Sequence, residues 1–318
     1  MREARSKHVQ VVARRKKRLA LARLAFALGG ATFALAGGAC GKLKPAEGAD
    51  ASTTSDASTG RTIVTISGTA APLPLNALVV PPISPADFSM LEVAIVDPQA
   101  VLADPAAAPL GSMTLDTTTT NCDATLGCAW SLPGVDITDQ KLGLVGTLAD
   151  LRTGAAREWV KTGTGLGSAA DVQAVIAAPA PITDRRAFIV SLKLEALLGA
   201  FVGKALGQTF NPGDLETRGF LIGYVVGKPS EGTFPPPIAG ATVSATGAFD
   251  VIYPNADFSA TGTATSTSGV FLMVPKMAAS VVATWTVNPP ATETRTWNQY
   301  LAGANPGNAF IIIMAAIE

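Results

Sequence analysis

The chain has 318 residues, 48% of them hydrophobic, with 24 basic and 24 acidic side chains and a single histidine. Such a length buries sizeable cores and favours two domains over one. The zero net charge hides an asymmetry, because residues 1–39 carry nine basic groups against Glu3 alone, leaving 15 basic and 23 acidic side chains in residues 40–318, a charge near −8. An acidic body repels phosphate backbones, which argues against nucleic acid as a partner.

The basic groups end at Arg23, an apolar run follows from Leu24 to Ala36, and the small residues Gly37, Gly38 and Ala39 lead into Cys40. This is the order of a secretory signal peptide, residues 1–39. A bilayer span needs about 20 apolar residues, so a permanent transmembrane helix is the weaker reading. A cleavage site directly before a cysteine resembles the lipobox of bacterial lipoproteins, with Gly38 and Ala39 as its small residues and Leu35 two places early for its leucine. The resemblance implies that the Cys40 thiol is diacylated and anchors the chain in a membrane. Cleavage by the ordinary signal peptidase is the alternative. Residues 40–60 continue as GKLKPAEGADASTTSDASTG after the cysteine, small and polar with no apolar set to pack, and read as a flexible tether. Gly41 stands where an aspartate would imply retention at the inner membrane, so the resemblance favours the outer membrane, on its periplasmic or surface side.

From Arg61 to Asp150 short apolar runs punctuated by Pro, Gly and Asp predict strands: TIVTIS at 62–67, MLEVAIVD at 90–97 and KLGLVGTL at 141–148. The zone 61–150 is expected to form an N-terminal β-sandwich. Within it Cys122 and Cys128 stand six residues apart with turn residues between them, a spacing that suits a disulfide in an exported protein. Metal ligation is disfavoured, since structural zinc needs four ligands and His8, the one histidine, lies in the signal peptide. Without imidazole the processed chain cannot assemble a Ser-His-Asp or Cys-His hydrolase. Two carboxylates alone serve a glycosidase, and Asp136 with Asp139 could supply them, although acids near turns usually face solvent.

Residues 151–216 lose the β-branched alternation and are expected as a partly helical connecting segment. The glycine-rich KTGTGLGSAADV at 161–172 lacks the GxGxxG spacing and any GK[ST], so a loop leading into a helix is preferred to a nucleotide site. FIVSLKLEALLGAFVGKAL at 188–206 places Leu192, Leu194, Leu197, Leu198, Phe201 and Val202 at helical spacing, with Gly207 as C-cap, and with Thr183 and Asp184 as candidate caps at the start. Ile189 and Val190 leave a strand entry open.

Beyond this, five runs return to strand character: GFLIGYVVG, GATVSATG, GVFLMVP, SVVATWTV and AFIIIMAAI. Gly223, Val225, Pro237, Gly240, Ala241 and Val243, then Gly269, Phe271, Val274, Pro275, Val281 and Thr284, follow a pattern that resembles the carboxypeptidase regulatory-like domain, a transthyretin-like β-sandwich. The resemblance implies such a sandwich over 217–318 and no chemistry of its own. A fainter echo aligns residues 128–148 with 269–287, Pro133 matching Pro275, so that two sandwiches of one type are plausible on sequence.

The expected protein is therefore mainly β: two β-sandwich domains of transthyretin or immunoglobulin-like type joined by a partly helical segment, behind a signal peptide and tether. It is read as a non-enzyme with no cofactor and no metal. The expected function is a structural or ligand-binding envelope module whose partners are the membrane, reached through a lipid anchor, and envelope proteins or polysaccharide. The runner-up is a carbohydrate-binding adhesin, motivated by Trp285, Trp297 and Tyr300; of these, Trp297 and Tyr300 in TRTWNQY are the polar-flanked pair expected to stack on sugar rings. An acid-only glycoside hydrolase ranks third.

Overall fold

A computed structural model describes residues 54–56, 60–79, 85–104, 106–118, 121–123, 127–229 and 234–317. The signal peptide, Cys40 and nearly all of the tether lie outside the described residues. The protein is mainly β. In the first zone β1 (Thr54–Asp56) folds back on β2 (Arg61–Pro72), and β3 (Leu91–Val96) leads through α1 (Pro98–Ala103) to β4 (Gly111–Thr114). There follow a hairpin of β5 (Cys122–Asp123) with β6 (Gly127–Asp136), and β7 (Leu144–Asp150). The expected connection contributes β8 (Trp159–Val160), β9 (Thr162–Gly167), α2 (Ala169–Ala177), β10 (Ile182–Ser191), α3 (Leu192–Leu206) and α4 (Asp214–Arg218). The last zone holds β11 (Phe220–Val226), β12 (Thr242–Ser244), β13 (Phe249–Pro254), β14 (Thr261–Gly262), β15 (Val270–Pro275), β16 (Val281–Asn288), β17 (Tyr300–Ala304) and β18 (Ala309–Ala315).

These strands form three sheets. One runs β5-β6-β2-β10-β8 with β1 on the flank of β2, a second runs β14-β13-β15-β11-β18-β9-β7-β3-β4, and the third is β12-β16-β17. The nine-stranded sheet crosses the zone boundaries drawn from periodicity: β3, β4 and β7 come from 61–150, β9 from the connection, and the other five from the C-terminal zone. Parallel pairing of β18 with both β9 and β11 makes the join.

Three apolar cores explain why each element reads as it does. Val64, Ile66, Trp130, Leu132 and Ile189 of the first sheet meet Val93, Ile95, Leu144, Leu148 and Leu166 of the nine-stranded sheet. On the C-terminal half of that sheet, one face packs Phe220, Ile222, Leu272 and Ile311 under Leu194, Leu198, Phe201 and Val202 of α3. The other face packs Leu221, Val225, Phe271, Met273 and Met314 under Val243, Ala283, Trp285, Val287 and Ala302 of the three-stranded sheet. β11 is covered on both sides, so all seven of its residues are buried and its sequence is a continuous apolar run with no alternation.

Two expectations for the connecting segment are corrected. Thr162–Gly167 is a strand between β18 and β7, where a loop was expected. Its glycines hide the strand signal; at Gly163 the small residue has a spatial reason, because a Cβ there would sit 3.0 Å from the Phe310 ring. Helix α3 starts later than expected: Ser191, not Thr183 or Asp184, is its N-cap, accepting the Leu194 N–H at 3.1 Å. Thr183 and Asp184 belong to β10, at a slip in its register with β2, and Ile189 and Val190 continue that strand. Gly207 ends α3 in the left-handed conformation, φ 64°.

Part of the motif of the last zone packs together, while Val274 lies in the core on the other face and Thr284 is exposed. Gly223 pairs with Phe271 across β11 and β15, Gly240 turns at φ 78°, and Ala241, Val243, Phe271 and Met273 share one core. The two echoing segments differ in detail. Pro133 sits inside β6, at a bulge opposite β2 where its missing N–H costs nothing, whereas Pro275 closes β15.

Candidate functional site

Residues 289–300 strap the corner where β11 and β18 end, and this strap carries the two aromatics singled out for stacking. Trp297 bridges antiparallel to Ala316, and its indole N–H points to the carbonyls of Met314 at 3.0 Å and Val226 at 3.2 Å. The Tyr300 hydroxyl donates to the Ala315 carbonyl at 2.7 Å, and burial pushes its pKa up. Both rings are half-buried against the C-terminal core. Their polar ends are committed to backbone, so only the uncovered part of each ring is offered to solvent. Beside them Glu293 and Arg295 form an ion pair in which the Arg295 guanidinium, through its hydrogen bonds, holds the Glu293 carboxyl down to about 2. Trp285 is a different case. It is fully buried, stacks on Phe249, packs at a tilt against Phe271, and donates its N–H to the Ala302 carbonyl at 3.1 Å, so it is a core residue.

Cys122 and Cys128 form a disulfide across directly opposed positions of β5 and β6. Asp136 ends the same β6 strand, where Arg61 donates from Nε at 2.8 Å and Thr138 from its hydroxyl at 2.6 Å. Partial burial works to raise its pKa, but the Thr138 and Arg61 hydrogen bonds outweigh it and leave the carboxyl below the ordinary carboxylate range. Asp139 is exposed. Among the described residues no group of three or more His, Cys, Asp or Glu side chains is placed to hold a metal ion.

The sequence reading missed Glu195, a charged residue buried to 1% exposure on α3. From α3 its carboxylate accepts the backbone N–H groups of Gly213 at 2.9 Å, Leu215 at 3.0 Å and Glu216 at 3.3 Å, and so caps α4 from outside. Desolvation by burial raises its pKa against those three bonds, and the neighbouring Glu216 adds to the rise. Nothing in KLEALL marks this glutamate as buried, since a lone acid on an amphipathic helix reads as solvated. Next to α4 an open cleft of about 310 Å³ is lined by Phe210, Asp214, Arg218 and Met277, with Arg218 lying over the Phe210 ring.

No family model matches the chain, and comparison with curated proteins finds no match. Among solved structures, a double mutant of the shaft pilin SpaA from Lactobacillus rhamnosus GG is similar at 10% identity and a TM-score of 0.21, over 81% of this chain and 98% of that one. The unmutated SpaA pilin gives 11% identity and a TM-score of 0.20, over 81% and 99%. The minor pilin of Streptococcus agalactiae gives 10% identity and a TM-score of 0.20, over 80% and 96%. Superposition this loose assigns no function.

Proposed function

We propose that this protein is a non-catalytic, lipid-anchored cell-envelope module, held at the outer membrane and acting structurally or by binding a ligand. The observation that carries this reading is the order of the N-terminal sequence: a basic segment to Arg23, an apolar run, three small residues, Cys40, and a polar stretch before the first described strands. The body is in keeping with a non-catalytic role. The motif residues Gly223, Gly240, Phe271 and Pro275 serve packing and turns, and the Asp136 carboxyl is engaged by Arg61 and Thr138. The test is detergent partitioning of the full chain against Cys40→Ser. Wild type is expected in the detergent phase and the variant in the aqueous phase. An N-terminus at another residue without acyl chains, seen by mass spectrometry, overturns the anchor.

One observation favours carbohydrate as the ligand: Trp297 and Tyr300 lie three residues apart and both are only partly buried against the C-terminal core. A glycan panel on Cys40→Ser protein, repeated with Trp297→Ala, decides this. Binding lost in the variant promotes the adhesin reading, and binding unchanged removes the pair from the site. Turnover in a glycosidase screen that disappears on changing a single Asp or Glu overturns the non-catalytic reading.

A further inference from the structure

Strands β6, β2 and β10 of the first sheet set directly opposed residues in rows over the N-terminal core. Leu132, Ile66 and Ile182 form one row and Cys128, Ala70 and Ala187 another, and all six belong to that core. Between the two stands a row of Trp130, Gly68 and Arg185. Opposed residues share a face of the sheet, so this row faces the core as well, with an arginine where the rows beside it place isoleucine and alanine. Apolar packing does not account for it.

The same row holds two unanswered donors. Trp130 is 3% exposed and Arg185 half-buried, and Trp130 Nε1 and Arg185 Nε are both closed to solvent with no acceptor among the described residues. Arg185 has no ion pair among them either. Gly68 leaves no side chain between the two, and it has to be glycine, because a Cβ would lie 1.8 Å from the Arg185 carbonyl oxygen where β10 slips its register against β2. The buried side-chain oxygen of Gln140, which also lacks a partner, is out of reach: Gln140 follows β6 and is tied through Ile137 to Thr62, six residues along β2 from Gly68.

We propose that the space over Gly68, between Trp130 and Arg185, is a site for one small inorganic anion of chloride size that ties β10 to β2 and β6. Indole and guanidinium are donors only, so the group that satisfies them brings acceptors alone. A guanidinium whose Nε is sealed from solvent also needs negative charge beside it, which a water molecule lacks. Size follows from closure. The backbones of Trp130 and Arg185 are two strand spacings apart, roughly 10 Å, and both nitrogens are shut off, so a single ion fits and an organic acid does not. Entry is past Arg185, because β8 pairs with the outer side of β10 only at Val190 and Ser191.

The test titrates the full chain with sodium chloride against sodium gluconate at constant ionic strength, reading the indole N–H signals of the four tryptophans by NMR and the denaturation midpoint. Trp130→Phe identifies the Trp130 signal. Chloride, and bromide after it, is expected to move that signal in a saturable way while the other three stay in place. The midpoint is expected to rise in step, since an ion that binds only the folded chain lowers the unfolding constant about a hundredfold at a hundred times its dissociation constant. Arg185→Gln, which removes the charge, is expected to abolish both effects. Arg185→Lys keeps the charge without the Nε–H, is expected to weaken binding about tenfold or more, and serves where the glutamine variant does not fold. A Trp130 signal that does not move, as with water alone at the site, a shift shared by all four indoles, or saturation unchanged in the Arg185 variants overturns the inference.

Discussion

Glu195 and Asp150 are carboxylates used by the fold in the same way, as acceptors for backbone N–H groups, yet pH acts on them in opposite directions. Asp150 accepts the N–H groups of Arg152, Glu158 and Trp159 and two bonds from the Arg152 guanidinium. Burial works to raise its pKa, but these donors prevail and the value is lowered from 3.8. Its contribution to stability is therefore complete above the unfolded value and is lost as pH falls through the lower folded one. Glu195 has a raised folded value, so its contribution is complete below 4.5 and declines as pH rises from there through the folded value. Denaturant melts of Glu195→Gln at several pH values should lose that decline, and a variant curve parallel to wild type would refute it. Asp150→Asn should cost about 1–3 kcal/mol at neutral pH, because the asparagine keeps one acceptor oxygen and turns an NH2 donor toward N–H groups that the second carboxylate oxygen had served. Gly223 is governed by space. A Cβ there would lie 2.0 Å from the tip of the fully buried Phe271 ring, so Gly223→Ala should destabilise by about 1–3 kcal/mol or more, read as a lower denaturation midpoint.

At the level of the element, the junction of β10 and α3 shows how local chemistry switches the period. Phe188 to Ser191 is buried without a break, and α3 continues the apolar content, so hydropathy alone does not separate strand from helix. Ser191 makes the separation: its hydroxyl takes the Leu194 N–H while its own N–H donates to Asn76 Oδ1 at 2.9 Å. Ser191→Ala should cost about 1 kcal/mol, the usual worth of an N-cap, measured by chemical denaturation. The strands with β-branched or large apolar residues, β2, β3, β7, β11, β15, β16 and β18, were legible because burial needed those side chains. β9 and β17 were not legible. Thr162–Gly167 carries a glycine at 163 under the Phe310 ring, and YLAGA is small where β17 lies against β11 and β18, with Ala302 and Ala304 facing the core. In both strands the decisive partner is remote in sequence. The candidate site was half legible for the same reason. Polar neighbours marked Trp297 and Tyr300, but the carbonyls that hold them belong to β11 and the far end of β18, and the backbone that Glu195 caps lies 18 to 21 residues ahead.

On the scale of the whole molecule the nine-stranded sheet decides how the chain comes apart. Two sandwiches tied by a connecting segment would melt in two steps, and a protease would cut the connection around residues 151–180. In the structure that stretch holds β8 and β9, with Val160, Thr162 and Thr164 buried, and β9 is hydrogen-bonded between β7 of the first zone and β18 of the last. β10 strengthens the bond between the halves, because its Ile189 enters the N-terminal core while Phe188 and Val190 enter the core beneath α3. Unfolding either half alone would expose a face of β9 and of β10 and leave β18 without its parallel neighbour, which makes the separated halves costly. The full chain is therefore expected to unfold in one transition that coincides for Trp130 in the first core and Trp285 in the last, followed by fluorescence with each tryptophan replaced in turn. Limited proteolysis should spare residues 159–191 until the whole body unfolds. Two separated midpoints, or an early cut within β9 that leaves a resistant C-terminal fragment, would restore the two-domain organisation expected from periodicity.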